Sequence, residues 1–335
     1  MKMRYYVVIR ALMVVPTLII LLSTMFFVMH ILPGDPVRIM FGDEMPEEAI
    51  QEIRNELGLN RPLFEQYLTY MTNFFRGDLG VSWLFKVPII DKVTEVYSMT
   101  IELTLGALLF GVILGIPLGI LSALKRGKKT DNIITVVALY LYSNPSFWIA
   151  LLFQLLFGVM LGILPISGRS SAMSSLPRVT GLMTVDSILA LDFKALIDSL
   201  RYLTLPWLTL GLSMMPMKCR ITRAAMLNEL GEDYIRTAMA KGLPDSLVYY
   251  RHAFRNALLP IITTVGASLT ALLGGTVIIE KVFSLPGLGR LLLDALQGRD
   301  FEMIQGVVGI YVIIVLVTNT VIDLLYAAAD PRVKF

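Results

Sequence analysis

Five stretches of this chain, 11–29, 103–124, 132–168, 256–279 and 303–322, run for 19 to 37 residues without an Asp, Glu, Lys or Arg. A helix rises about 1.5 Å per residue, so roughly 20 apolar residues cross a hydrocarbon layer about 30 Å thick. Each stretch is long enough to cross. Only 16% of the 335 residues are charged against 56% hydrophobic, too little polar surface to shield such helices in water. Lipid must be the solvent for much of this chain. A soluble enzyme, a disordered regulator and a fibrous protein are thereby excluded.

The 37-residue stretch exceeds a simple crossing, and the twelve residues before Asn144-Pro145 are too few to span. It reads as one crossing, about 133–157, that Pro145 kinks or divides. A further span, 200–217, contains Arg201, Pro206 and Pro216. Charge asymmetry supports including it, because cytoplasmic loops carry the excess of Lys and Arg. With the N-terminus inside, segments 2–10, 125–129, 218–255 and 332–334 hold 16 basic residues and the short outer segments seven. The expectation is an all-α polytopic membrane protein with six transmembrane helices and both termini cytoplasmic. Residues 1–100 would form a transmembrane helix plus an external helical segment. Residues 101–335 would form a core domain of five transmembrane helices with a cytoplasmic loop at 218–257.

Within the external segment, Glu47, Glu48 and Glu52 precede or interleave with Ile50, Ile53 and Leu57, a short amphipathic helix that Gly58 stops. Pro62 opens a second helix through about Phe75, with Leu63, Tyr67, Tyr70 and Phe74 at helical spacing. Arg76-Gly77-Asp78 is read as the turn that follows, not as an adhesion motif.

Cys219 is the sole cysteine and His30 and His252 the only histidines, so disulfides, cysteine metal cages and haem ligation are set aside. No G-x-x-x-x-G-K-[ST] phosphate loop occurs. Asp323, Glu102 and Glu280 read as interfacial ends of spans, and Asn144 and Asn319 as hydrogen-bonding between helices. Gly106, Gly111, Gly115 and Gly119 permit close helix approach, either internally or to a partner.

The segment 218–255 is too long for a bare connector. Glu232 and Asp233 suit a helix N-terminus, Ala238 and Ala240 its body and Lys241 its end. Gly242 fits a left-handed closing position, and Pro244 prevents continuation. The pattern predicts a helix of about three turns over 232–242. Beyond it, Asp245 as N-cap would open a second helix carrying Arg251, His252, Arg255 and Asn256 towards Pro260. Such a short rod between two spans suits either a handle that a partner grips or an amphipathic segment resting on lipid headgroups.

The runs Glu232-Asp233-Tyr234-Ile235-Arg236-Thr237-Ala238, Ala240-Lys241-Gly242-Leu243 and His252-Ala253-Phe254-Arg255-Asn256-Ala257-Leu258-Leu259-Pro260 resemble the cytoplasmic signature loop of binding-protein-dependent ABC importer permeases. The likeness is greatest to the B-type subunit of the dipeptide/oligopeptide/nickel branch. Leu32-Pro33-Gly34-Asp35-Pro36, Leu57-Gly58-Leu59, Gly77-Asp78-Leu79-Gly80 and Phe283-Ser284-Leu285-Pro286-Gly287-Leu288-Gly289 agree, whereas Met239 stands where that branch often carries arginine. The resemblance implies a type I ABC importer permease fold and a subunit with no catalytic residue and no bound cofactor. ATP and Mg would be held by two cytoplasmic ABC ATPase subunits. A C-type permease would share the path, and an external solute-binding protein would deliver cargo, foremost peptides, with nickel or oligosaccharide as alternatives. Glu232 to Ala238 with Lys241, Gly242 and Leu243 would couple to the ATPase, supported by His252, Arg255, Asn256 and Pro260. Nothing suggests nucleic acid. The resemblance names no metal or substrate ligand. An ion-coupled secondary transporter is the more distant reading, because neither inverted repeats nor midplane ionisable residues are evident.

Overall fold

The computed structural model describes residues 3–31, 37–38, 46–56, 58–171 and 176–329. The motif Leu32–Pro36, Leu57 and the terminal basic residues Lys2, Arg332 and Lys334 lie outside the described residues. The chain forms α1 (Met3–Ile31), α2 (Glu47–Glu56), α3 (Leu63–Phe75), α4 (Ile89–Leu124), α5 (Lys129–Ser143) and α6 (Ser146–Phe153, prolonged by a π-helical turn Gln154–Met160). There follow α7 (Met183–Leu189), α8 (Phe193–Leu230), α9 (Asp233–Ala240), α10 (Arg255–Gly275, entered through a π-helical stretch Leu247–Phe254), α11 (Val277–Val282), α12 (Leu288–Gln297) and α13 (Phe301–Ala329). Among the described residues the only strand-like pairing is a single bridge between Val81 and Pro88, so the all-α class holds.

Among the described residues four helical segments are long and apolar enough to cross a membrane: Leu12–Ile31, Ile89–Leu124, Leu247–Gly274 and Phe301–Leu324. The pair α5 and α6 passes that test only together, and it bends by 103° at the break. Pro145 supplies no N–H, and Asn144 before it is extended at φ −99° and ψ 136°. The proline therefore divides this run. The Asn144 side-chain amide, expected to bond between helices, donates to Tyr140 O in its own helix at 2.6 Å. The 38-residue α8 is about 57 Å long, more than a bilayer requires, but Arg201, Lys218, Arg220 and Arg223 interrupt its apolar character.

The helices gather into two compact units, Met1–Ser98 with Gly287–Thr320, and Met99–Pro286 with Val321–Phe335. In the first, Ile89, Val93 and Val96 of α4 pack with Leu288, Leu291 and Ala295 of α12 and Met303, Ile304 and Val307 of α13. Asp300 caps α13 by accepting from Met303 N at 3.0 Å, and it also accepts from Ser82 Oγ and Leu84 N. Gly77 at φ +81° closes α3, so Arg76-Gly77-Asp78 is a turn.

In the second unit the glycines of α4 face α8. A Cβ on Gly106 would stand 2.0 Å from the Trp207 ring, one on Gly115 2.8 Å from Lys218 Cβ, and one on Gly119 2.6 Å from Cys219 O. This series thus serves internal packing, setting α4 against α8. Glu102, at the start of the apolar stretch 103–124, is engaged within the protein. Its side chain is buried and accepts from Arg169 Nη2 (2.9 Å), Thr184 N and Oγ1 (both 2.7 Å) and Met183 N (3.2 Å), pinning the start of α7 to α4. Glu280 is buried as well and accepts from Thr100 Oγ1 at 2.8 Å.

Candidate coupling site

The α8 helix does not stop at Lys218. Nothing from Cys219 to Leu230 breaks a helix, and Ala224, Ala225, Met226 and Leu227 favour one. Gly231 then turns the chain, its N–H bonding Asn228 O at 3.1 Å. Glu232 is extended at φ −75° and ψ 149°, so the helix proper is α9, Asp233–Ala240, little more than two turns and shorter than the sequence suggested. Its end is a Schellman closure: Gly242 N bonds Met239 O (2.9 Å) and Leu243 N bonds Ala238 O (3.4 Å), with Gly242 at φ +73°. The next helix begins one residue earlier than expected. Its first amides, Leu247 and Val248, bond Pro244 O, which leaves Asp245 inside the first turn and not at the N-cap.

One side of α9 is buried. Ile235 and Ala238 pack with Ile120 and Ala123 of α4, Ala225 and Met226 of α8, and Val248, Ala253, Ala257 and Ile261 on the way into α10, with Leu243 against the same cluster. Polar bonds reinforce the attachment. Tyr234 donates its hydroxyl proton to the Glu229 carboxylate of α8 and accepts from Asn256 Nδ2 of α10 at 2.9 Å. Burial, and then the Glu229 bond, push the Tyr234 phenol above its ordinary pKa, so it remains a donor at physiological pH. One side chain thus ties α9 to both long helices.

The other side is open. Glu232, Asp233, Arg236, Thr237, Met239, Ala240, Lys241 and Gly242 are exposed. Asp233 and Arg236 approach to 3.4 Å but are 95% and 75% exposed, so water screens the pair and leaves both charges available to a partner. Among the supporting residues, Asn256 joins the clamp, His252 is half-buried in the π-helical stretch, and Arg255 and Pro260 are exposed on α10. Reading the sequence missed Glu229, the clamp's acceptor, and Asp131. The Asp131 carboxylate takes two bonds from Arg223 (Nε 2.9 Å, Nη2 2.8 Å), one from Gly127 N and one from Ser122 Oγ, fixing the α4–α5 turn to α8. No local motif marks either residue, since their partners come from other helices. Among the described residues no group of three or more His, Cys, Asp or Glu could hold a metal. The arrangement is a short helix fastened along one side to α4, α8 and α10 and open along the other.

Residues 115–335 match the family described as "Binding-protein-dependent transport system inner membrane component", and residues 3–104 match "Binding-prot-dependent transport system membrane comp, N-term". The chain belongs to the binding-protein-dependent inner membrane components. It is 38% identical over 330 residues to the dipeptide transport system permease protein DppB of Alkalihalophilus pseudofirmus, covering 98% of this chain and 99% of that protein. It is 39% identical over 326 residues to DppB of Escherichia coli K12, covering 96% of each. It is also 35% identical over 330 residues to the glutathione transport system permease protein GsiC of Escherichia coli O6:H1, covering 98% and 99%. A chain of the MetNI methionine ABC transporter, in an inward-facing crystal form, matches with a TM-score of 0.55 at 17% identity, over 71% of this chain and 96% of that one. This inner membrane component therefore has the ABC importer permease fold and is a multi-pass protein of the plasma membrane.

Proposed function

We propose that the chain is the B-type permease subunit of an ATP-driven importer and that α9 is its coupling helix. The observation that carries this reading is the attachment of α9: buried Ile235 and Ala238 and the Tyr234 clamp bind it to α8 and α10, while its outer face is open. A partner that displaces α9 must move both long helices, because packed helices shift as rigid bodies. In this reading six spans place both termini in the cytoplasm. Two ABC ATPase subunits bind ATP and Mg and grip the face of Asp233, Arg236, Thr237 and Lys241. A C-type permease completes the path, and an external solute-binding protein delivers cargo. The chain itself hydrolyses nothing. Peptides, dipeptides foremost, are the proposed cargo, supported by the likeness to the dipeptide permease DppB and the glutathione permease GsiC.

Purified complex reconstituted in vesicles, with Thr237→Cys on this chain and paired cysteines on the ATPase, tests the reading. Cross-links that trap α9 on the ATPase, and dipeptide uptake that requires both nucleotide and binding protein, are expected. Uptake without nucleotide, or labelling of position 233 from the exterior, would overturn it.

A further inference from the structure

Two basic residues, one just before α4 and one just before α13, stand where a chain ordinarily places glycine. Ser82 N bonds Val87 O (3.0 Å) and Lys86 N bonds Ser82 O (2.9 Å), closing a hairpin in which Lys86 takes φ +58°. Arg299 N bonds Leu296 O (3.2 Å) and Asp300 N bonds Ala295 O (2.9 Å), a Schellman closure of α12 with Arg299 at φ +57°. Left-handed backbone is unfavourable for a residue with a Cβ, and such residues collect at functional sites.

Trp83 joins the two. Its indole N–H donates to Arg299 O at 3.4 Å, and Lys86 Nζ lies 5.9 Å from its ring centre. Leu84 covers Gly298 so closely that a Cβ there would stand 2.5 Å from Leu84 Cδ2. Beneath them the buried Asp300 carboxylate accepts from Ser82 Oγ (2.5 Å), Leu84 N (3.2 Å) and Met303 N (3.0 Å), which fastens hairpin and turn together. Lys86 and Arg299 are exposed, and among the described residues neither forms an ion pair. Neighbouring carboxylates are engaged elsewhere: Asp78 takes the Gly80 amide (3.0 Å) and Glu95 takes Lys92 Nζ (2.8 Å).

The patch stands clear of lipid headgroups. Asp91, Lys92 and Glu95 lie between it and the uncharged stretch 103–124 of α4. From Ile89 to Glu102 is about 20 Å of helix, and still about 16 Å at a tilt of 40°. The headgroup layer adds only about 5–8 Å to each side of the hydrocarbon. At this level Ile89, Val93 and Val96 are buried by α12 and α13, not by lipid. What remains for the patch is a protein. Trp and Arg are favoured in protein interfaces, and a surface held rigid beforehand loses less entropy on binding.

We propose that Trp83, Lys86 and Arg299 form a docking patch for an acidic surface of the external solute-binding protein. The inference rests on the importer reading above, in which α4 enters the membrane from outside and ends in the cytoplasm at Leu124. Asn tolerates the left-handed region, so Lys86→Asn with Arg299→Asn removes both charges and keeps both turns. In the whole complex in phospholipid nanodiscs, this double variant should bind the solute-binding protein about tenfold more weakly at low salt, and the gap should shrink as salt is added. Its melting temperature should hold, and the corresponding glycine pair, which also relieves the backbone, should lose as much affinity. Lys92→Asn removes a lysine already paired with Glu95 and should leave the affinity within about twofold. Equal binding by the double variants and the parent would overturn the proposal. So would an equally large fall in Lys92→Asn, which would show a response to net charge and not a docking patch. A parent complex that binds no solute-binding protein would refute the importer reading, and the patch with it.

Discussion

Gly242 stands at φ +73° with no heavy atom within 4 Å of where its Cβ would be. A side chain there meets open space, so the cost of a substitution comes from the backbone alone. A left-handed φ costs an ordinary L-residue about 1–2 kcal/mol, less for Asn, and more for a β-branched residue, for which the region is a true outlier. Gly242→Asn should keep the closure and Gly242→Ala should weaken it by about 1–2 kcal/mol, roughly tenfold in the ratio of closed to open turn. Gly242→Val should weaken it by up to about 3 kcal/mol. Opening breaks the bonds from Gly242 N and Leu243 N, and it withdraws Leu243 from the cluster that holds Ile235 and Ala238. The far end of α9 then swings without moving α10.

Two measurements follow this through. Hydrogen exchange at the amides of residues 241–243 should quicken in the order Asn, Ala, Val. In reconstituted vesicles the ATP consumed per cargo molecule should rise in the same order, while the permease remains assembled. An order that follows side-chain volume, with Asn worse than Ala, would refute the argument from backbone conformation. A Val variant that transports with unchanged stoichiometry would refute the coupling role of this closure.

Three further expectations concern the scaffold. Asp131→Asn removes one partner of a pair whose carboxylate is buried and whose Arg223 is about one-third exposed, so a loss of about 2 kcal/mol, discounted for solvent screening, should lower the melting temperature by several degrees; unchanged melting would show the pair contributes nothing. Glu102→Gln keeps the shape but strands Arg169 and sets an amide against the start of α7, so about 3 kcal/mol should be lost, and a double-mutant cycle with Arg169→Met should return a loss smaller than the sum of the singles. Burial works against the charge of Asp186, but hydrogen bonds from the side chain and backbone of Thr180 and the backbones of Gly181 and Val179 outweigh it and hold its carboxyl below the ordinary value. Its stabilising effect is therefore present above the unfolded carboxylate pKa and lost as pH falls through the lower folded value, so protease access to residues 176–186 should increase in acid and become flat with pH in Asp186→Asn.

The closing end of α9 was legible in the sequence because its chemistry is local: a Gly for the left-handed turn, then a Pro two residues on. The start of α3 at Pro62 and its stop at Gly77 were legible for the same reason. The Tyr234 clamp was not, because its three members come from the end of α8, from α9 and from α10, and 22 residues separate Tyr234 from Asn256. The glycines of α4 could be read as a close-approach surface, but only the position of Trp207 and Lys218 on α8 decides which helix approaches.

That α8 runs on past Met217 has a plain cause. A reading that ends a helix at the first charge assumes that charge means water. Lys218 is 1% exposed and donates to Ser268 Oγ at 3.0 Å, and Arg223 is bound by Asp131. The α8 helix thus runs past both to Leu230, and what looked like a loop is the rigid arm that carries α9. Glu102 is likewise a charge held away from water, its carboxylate satisfied by four donors within the protein. If α9 is the coupling helix proposed above, a displacement of it would pass the Gly231 turn into α8, which is helical from Phe193 to Leu230, and the contacts of Lys218 with Ser268 and of Arg223 with Asp131 would lie on that route.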